Sequence, residues 1–143
     1  MDKLDLKFPE KGIKKAKIGE LTEKTIKLLG IDRKPCDIVI WDDRLKYIEK
    51  HKKDFKDEET YYKCMEKIPL ILKEPDYVGL HPNDGSIQYI KQIDELTLVG
   101  IRLKVSGELC LRSSYKITDG QLKYYIESGR VKKYEVDGWQ NQE

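Results

Sequence analysis

The strongest constraint on the fold is a change in the spacing of apolar residues near Asp76. Before this residue the apolar side chains recur mainly every three or four positions, which is the spacing of amphipathic helices. After it they alternate with polar side chains, as in strands that bury one face. A chain with helices first and consecutive strands afterwards is typical of the α+β class with an antiparallel sheet.

Three helices and one strand are predicted in the first half. The helices run from Leu21 to Gly30, from Arg44 to Phe55 and from Asp57 to Glu74, and the strand covers Cys36 to Trp41. Gly30 fits the left-handed C′ position that ends a helix. Asp42 or Asp43 can cap the second helix, and Pro69 should kink or shorten the third.

The second half predicts four consecutive strands and a last short helix. The strands cover Tyr77–Leu80, Ser86–Ile93, Leu96–Val105 and Glu108–Ile117, and Thr118 caps the helix. Their connections are shorter than the dozen or more residues that a parallel crossover needs. The expected architecture is therefore α+β, with N-terminal helices packed on a four-stranded antiparallel β-sheet.

The length of 143 residues fits one domain. We expect residues 1–19 to form a mobile arm or a strand added late to the sheet, because they are rich in charge and contain Pro9 and Gly12. Residues 20–130 form the domain. Residues 131–143 form a polar tail, in which Trp139 could dock on the domain.

Composition narrows the cellular setting. No apolar leader and no run of membrane-spanning length occur, so the chain is expected to be cytoplasmic without membrane contact, or to be delivered by a carrier rather than by its own signal. The three cysteines are widely spaced, odd in number and without a CxxC pair. This pattern argues against a zinc site or a disulfide framework and fits free thiols in a reducing compartment.

The candidate chemistry is acid–base chemistry without a cofactor. The sequence has no phosphate-binding glycine motif, HExxH motif or calcium loop, so neither a cofactor nor a metal is expected. It does offer His51, His81, Arg112 and Tyr115, which can move protons or bind phosphate. Such residues can cleave RNA without metal, since the 2′-OH of RNA is itself the nucleophile.

Each candidate residue also has a purely structural interpretation. His51 lies on the inward edge of its helix and could be a core histidine, and His81 could be an exposed turn residue. Strict alternation places Arg112, Ser114 and Lys116 on one face of the last strand and Tyr115 on the other. That face could be an anion-binding platform or simply the solvent side of the strand. Lys91 could be a surface lysine.

Three segments resemble the phage-associated barnase–EndoU–colicin–RelE-like nucleases. They are IWDDRLKYIEKHKKDF, then YYKCMEKIPLILKEPDYVGLHPNDGSIQYIKQID, and LVGIRLKVSGELCLRSSYKITDGQLKYYI. The similarity runs from about Ile18 to Arg130. It rests on the helix with the Lys–His pair, the PDYVGLHP turn, and the Arg and Tyr of a late strand.

The resemblance implies a fold, an activity and a set of site residues. The fold has helices on one face of a four-stranded antiparallel sheet, and the activity is endonucleolytic cleavage of tRNA or mRNA that leaves a 2′,3′-cyclic phosphate. The implied catalytic residues are His51 as acid or base, Arg112 on the phosphate, Ser114 on the same face, and Tyr115 if a bulge or strand end turns it there. The implied substrate-binding residues are His81, Lys91 and Lys116.

Two functional hypotheses follow. The first is a metal-independent endoribonuclease in phage–host conflict or in a toxin, with a cognate inhibitor as a possible partner. The second is a catalytically inactive phage accessory protein that binds RNA or a host protein. The net charge of +2 favours the second, and the convergence of a histidine helix on an Arg–Ser strand favours the first. The placement of His51 relative to Arg112 should separate them.

Overall fold

A seven-stranded sheet lies at the centre of the molecule in the computed structural model, which describes residues 3–135. The strands are β1 (Lys15–Leu21), β2 (Cys36–Trp41), β3 (Tyr77–Leu80), β4 (Ile87–Gln92), β5 (Leu96–Leu103), β6 (Leu109–Lys116) and β7 (Val131–Lys133). Their order across the sheet is β1-β2-β6-β5-β4-β3-β7. Every neighbouring pair is antiparallel except β2 and β6, which run parallel.

The α+β class is confirmed, but the predicted sheet of four antiparallel strands is wrong. The four predicted strands form β3 to β6, and the early predicted strand joins them as β2, parallel to β6. β1 and β7 add the two edges. The sequence KAKIGEL of β1 is too charged to read as a core strand, and β7 has only three residues, which is too short for a visible alternation.

The segment expected to form either a mobile arm or an added strand contributes to both the core and the sheet. Leu4 and Phe8 are buried in the main hydrophobic cluster, and β1 pairs along its length with β2. At the other end, β7 lies in the segment expected to form a polar tail and pairs with β3. Trp139 lies outside the described residues.

Five α-helices and two 3₁₀ helices occur within residues 3–135. The α-helices are α1 (Glu23–Leu29), α2 (Asp42–Ile48), α3 (Glu58–Glu66), α4 (Ile68–Lys73) and α5 (Asp119–Glu127), and the 3₁₀ helices are Phe8–Lys11 and Glu49–Asp54. Gly30 ends α1 in the left-handed conformation, and Thr118 and Gln121 form a capping box on α5, as their residue types predict. No helix in this range is both long and apolar enough to cross a bilayer.

Two predicted helices are divided. The predicted third helix breaks at Lys67 because Pro69 starts a new helix, α4, in its first turn. The predicted second helix tightens after Ile48 into the 3₁₀ helix Glu49–Asp54, which carries His51. Its two ends are fixed by Ile48 and Phe55, both buried in the main core.

The two faces of the sheet differ. The face that carries Tyr89, Val99, Ile101 and Leu111, here called the core face, packs into the main hydrophobic cluster. The opposite face, here called the second face, carries a smaller cluster that includes Ile90, Leu98 and Ile117, against which α5 packs Leu122 and Tyr125.

A β-bulge in β6 changes which side chains reach the second face. Ile101 pairs with Leu111, but the next residue, Gly100, pairs with Ser113, so Arg112 is the extra residue. Such an insertion reverses the alternation that follows it. The bulge therefore places Tyr115 on the second face, opposite Leu98, and Ser114 on the core face, opposite Val99. The expectation that Arg112 and Ser114 share a face is wrong.

Two glycines on the second face provide a test of this register. A Cβ atom on Gly79 would collide with the backbone of Arg130 and Val131, whereas one on Gly100 would meet only the Ser113 carbonyl oxygen, at 3.8 Å. We expect Gly79→Ala to lower the free energy of unfolding by about 1–3 kcal/mol through overpacking. Gly100→Ala should change it by less than about 1 kcal/mol. Urea denaturation measures both, and equal losses would contradict the register.

Candidate active site

His51 and Tyr115 meet beside the part of β6 that β2 does not pair with. β2 pairs only with Leu109 and Cys110 at the start of β6, and the 3₁₀ helix lies beside the remainder of that strand. The rings of His51 and Tyr115 are 5.3 Å apart between centroids, with an interplanar angle of 41°. A helical histidine and a strand tyrosine that are remote in sequence are thus in contact.

The surroundings of His51 favour its neutral form. Partial burial lowers the pKa of the imidazole first, and the positive charge of Lys50 lowers it further. The Asp54 carboxylate, whose Oδ2 lies 3.8 Å from His51 Nδ1, acts in the opposite direction without cancelling these effects. A neutral imidazole at neutral pH can accept a proton.

Burial raises the pKa of Tyr115, whereas it lowers the pKa of His51. Burial and the neighbouring Tyr125 raise the pKa of its phenol, while the positive charges of Arg130 and Arg112 partly offset this increase. The phenol therefore keeps its proton at neutral pH and can donate it, or donate a hydrogen bond. His51 and Tyr115 form a proton acceptor beside a proton donor.

Arg112 extends from the bulge to the turn between β3 and β4. Its backbone carbonyl accepts a hydrogen bond from Arg44 Nη1 at 3.2 Å. Its guanidinium forms an ion pair with Asp84 and lies 3.4 Å from Ser86 Oγ. Since β5 lies between β6 and this turn, the side chain must extend across β5 to reach it.

The turn between β3 and β4 holds His81 in a defined orientation. The backbone N–H of His81 donates to the Ser86 carbonyl at 2.8 Å, and Gly85 adopts φ +74° to close the turn. The Asn83 N–H donates to His81 Nδ1 at 3.1 Å, which leaves the proton of the neutral ring on Nε2. Burial lowers the pKa of His81, and Arg130 and Arg112 lower it further.

Arg130 is a member of this cluster that sequence reasoning missed. Its Nε donates to Gln88 Oε1 at 2.9 Å, and its guanidinium lies 4.0 Å from the centre of the Tyr125 ring. Gln88 is 3% exposed on the second face and pairs with Gly100. Gln88 could have indicated this contact from the sequence, because a glutamine among the apolar residues of β4 requires a polar partner when it is buried.

Three residues that were expected in the site lie apart from this cluster. Ser114 is fully buried on the core face, and its hydroxyl has no hydrogen-bond partner within residues 3–135. Lys91 donates to the Glu74 carbonyl at 2.8 Å, and Lys116 lies 2.8 Å from Glu95 Oε1. Both lysines pair with Thr97 in register, on the core side of the sheet, because the bulge reverses the face of Lys116.

No group of three or more histidine, cysteine, aspartate or glutamate side chains within residues 3–135 is arranged to hold a metal ion. The cysteines Cys36, Cys64 and Cys110 are all free thiols, and the last two are buried. The functional groups that converge on the second face are imidazole, phenol and guanidinium.

Comparison with known proteins adds one finding to this geometry. No curated protein and no solved structure matched the chain. The family described as phage-Barnase-EndoU-ColicinE5/D-RelE like nuclease 3 matches residues 16–124, well over half of the chain. This range contains His51, Arg112 and Tyr115, and it ends before Arg130. The chain therefore belongs to the phage-Barnase-EndoU-ColicinE5/D-RelE like nuclease family.

Proposed function

We propose that the protein is a metal-independent endoribonuclease whose active site is formed by His51, Tyr115, Arg112 and Arg130. Membership of a nuclease family makes nucleic acid the substrate class. The observation that carries the proposal is the contact between the His51 and Tyr115 rings on the face where both arginines lie. These groups meet the requirements of phosphodiester cleavage by an internal nucleophile.

Each group has a distinct part in the reaction. Neutral His51 removes the proton of the 2′-OH, and the freed oxygen attacks the adjacent phosphorus. Arg112 and Arg130 offset the negative charge that builds on the phosphate oxygens. The bond from phosphorus to the 5′ oxygen breaks, and Tyr115 gives its proton to that oxygen. The products are a 2′,3′-cyclic phosphate and a 5′-OH end.

His81 supports substrate binding in this scheme. Its Nε2–H can donate a hydrogen bond to a phosphate oxygen, and its Nδ1 is held by the turn. Ser114, Lys91 and Lys116 have no part in the scheme, because none of them reaches the second face. RNA, as tRNA or mRNA, is the proposed substrate, since DNA lacks the hydroxyl on which His51 acts.

The family description also suggests where this activity takes place. The family description refers to phages, which fits an enzyme that acts in the cytosol of a host cell, as a toxin or in phage–host conflict. A cognate inhibitor would cover the second face, where the cluster is accessible.

One observation favours a second candidate, a catalytically inactive accessory protein that binds RNA or a host protein. The Asp84 carboxylate already forms an ion pair with Arg112, so a phosphate must displace it. If that pair persists, Arg112 cannot stabilise the reacting phosphate. Cleavage by the Asp84→Asn variant together with inactivity of the wild type would identify such a blocked site.

The first test uses purified protein and total RNA in EDTA. His51→Ala should lower the cleavage rate by at least about 100-fold, which is the lower range for loss of general acid–base catalysis. Tyr115→Phe should also slow cleavage, and a 2′-deoxy substrate should stay intact. Cleavage of RNA by His51→Ala at the wild-type rate would refute the assignment of the site.

Ser114→Ala is the matched control for these variants. It removes a hydroxyl one residue from Tyr115 that is buried without a partner within the described chain. We expect an unchanged cleavage rate and an unfolding free energy that is equal or higher, since an unsatisfied buried polar group is removed. A large loss of activity would return Ser114 to the site.

The second test is the pH dependence of kcat/KM. Activity should fall as His51 becomes protonated, and the lowered pKa places this acidic limb below the value of free histidine, about 6.5. Lys50→Gln removes a nearby positive charge and should move the limb to higher pH. Asp54→Asn removes a carboxylate that favours the imidazolium and should move it to lower pH. Shifts in one shared direction would exclude His51 as the titrating base.

A further inference from the structure

A concavity lies on the second face, on the other side of Arg112 from His51. Its volume is about 220 Å³, and the residues that line it include Trp41, Arg44, Arg102, Lys104 and Cys110. The register explains the grouping, because Cys110 pairs with both Arg102 and Val39, and Trp41 follows two residues later on the same side of β2. β2, β5 and β6 form its floor, and α2 forms a wall.

The concavity is positively charged. Arg44, Arg102 and Lys104 line it, against the single carboxylate of Asp43 among its lining residues. Arg102 is exposed and forms no ion pair within residues 3–135. The nearby Glu108 carboxylate accepts the Trp41 indole N–H at 2.8 Å and lies 3.1 Å from Lys15 Nζ and 3.9 Å from Lys104 Nζ, so it offsets part of the Lys104 charge and leaves Arg102 as a lining cation without an ion pair within residues 3–135.

The concavity is continuous with the candidate active site. Arg44 lines it and also donates to the backbone carbonyl of Arg112. The Arg44 guanidinium lies 4.5 Å from the centre of the Tyr47 ring, which is 45% exposed. The Lys50 ammonium lies 3.9 Å from the same ring, one residue before His51. Cationic and aromatic groups thus connect the concavity to Lys50, the residue before His51.

We propose that this concavity binds an unstacked nucleotide of the substrate strand next to the phosphodiester that is cleaved, and that the substrate is single-stranded there. This inference rests on the proposed function for the identity of the ligand. A base that is splayed out of a single strand can enter a narrow concavity and lie against guanidinium groups, whereas a paired and stacked base cannot. Arg102 and Lys104 bind the adjoining phosphate.

Arg102 provides the sharpest test, because it is exposed and lies outside the proposed catalytic groups. Binding is measured by fluorescence anisotropy with a labelled single-stranded octanucleotide whose 2′-O-methyl groups prevent cleavage. Arg102→Ala should raise Kd about 10-fold, as expected for the loss of a charge-assisted contact. Lys27→Ala, which removes one positive charge from an exposed position in α1, should change Kd less than about twofold.

Two results would overturn the subsite. One is an equal effect of Arg102→Ala and Lys27→Ala, which would show non-specific attraction to a positively charged protein. The other is equally tight binding of the same octanucleotide annealed to its complement, which would exclude an unstacked base. Selective weakening by Arg102→Ala together with preference for the single strand supports the proposal.

Cleavage kinetics separate failure of the subsite from failure of the proposed function. On an unmodified octanucleotide, Arg102→Ala should raise KM with little effect on kcat, and a dinucleotide, which lacks the adjoining phosphate that Arg102 binds, should not respond. If the wild type cleaves RNA and Arg102→Ala matches it on both substrates, the proposed subsite is refuted and the proposed endoribonuclease function is retained. If the wild type cleaves nothing but binding still depends on Arg102, the endoribonuclease function is refuted and the subsite is retained.

Discussion

The β-bulge at Arg112 is the feature on which the rest of the candidate site depends. One extra residue in β6 reverses the alternation that follows it, so Tyr115 reaches the second face and Ser114 enters the core. A bulge interrupts the hydrogen bonds of the ladder, and its carbonyl needs another partner. Arg44 supplies that partner from α2, which ties the bulge to the helix leading to His51.

Desolvation acts on the two ring systems of the site in complementary ways. Burial disfavours the charged form of any group, so it keeps His51 deprotonated and Tyr115 protonated. One physical cause thus produces a proton acceptor and a proton donor side by side. Both His51 and Tyr115 are only partly buried, which leaves room for a substrate to reach both rings.

The overall charge conceals how the arginines are distributed. A net charge of +2 over 143 residues suggests no particular affinity for nucleic acid. Yet four arginines lie at the second face. Arg44 donates to the backbone carbonyl of Arg112 and lines the concavity together with Arg102. Arg112 reaches Ser86, and Arg130 donates to Gln88. Local potential, rather than net charge, governs the attraction of a phosphate backbone to such a surface.

The sequence by itself determined the class of the fold, the strands β2 to β6, the caps at Gly30 and Thr118, and the candidates His51, Arg112 and Tyr115. These depend on local spacing and on the conformational preferences of single residues. Tertiary structure decided the bulge, the edges β1 and β7, the burial of Ser114 and the recruitment of Arg130. A bulge exists only relative to a partner strand, and a short edge strand is defined by its hydrogen bonds rather than by its own pattern. Alternation along one chain therefore cannot reveal which face Ser114 and Tyr115 occupy.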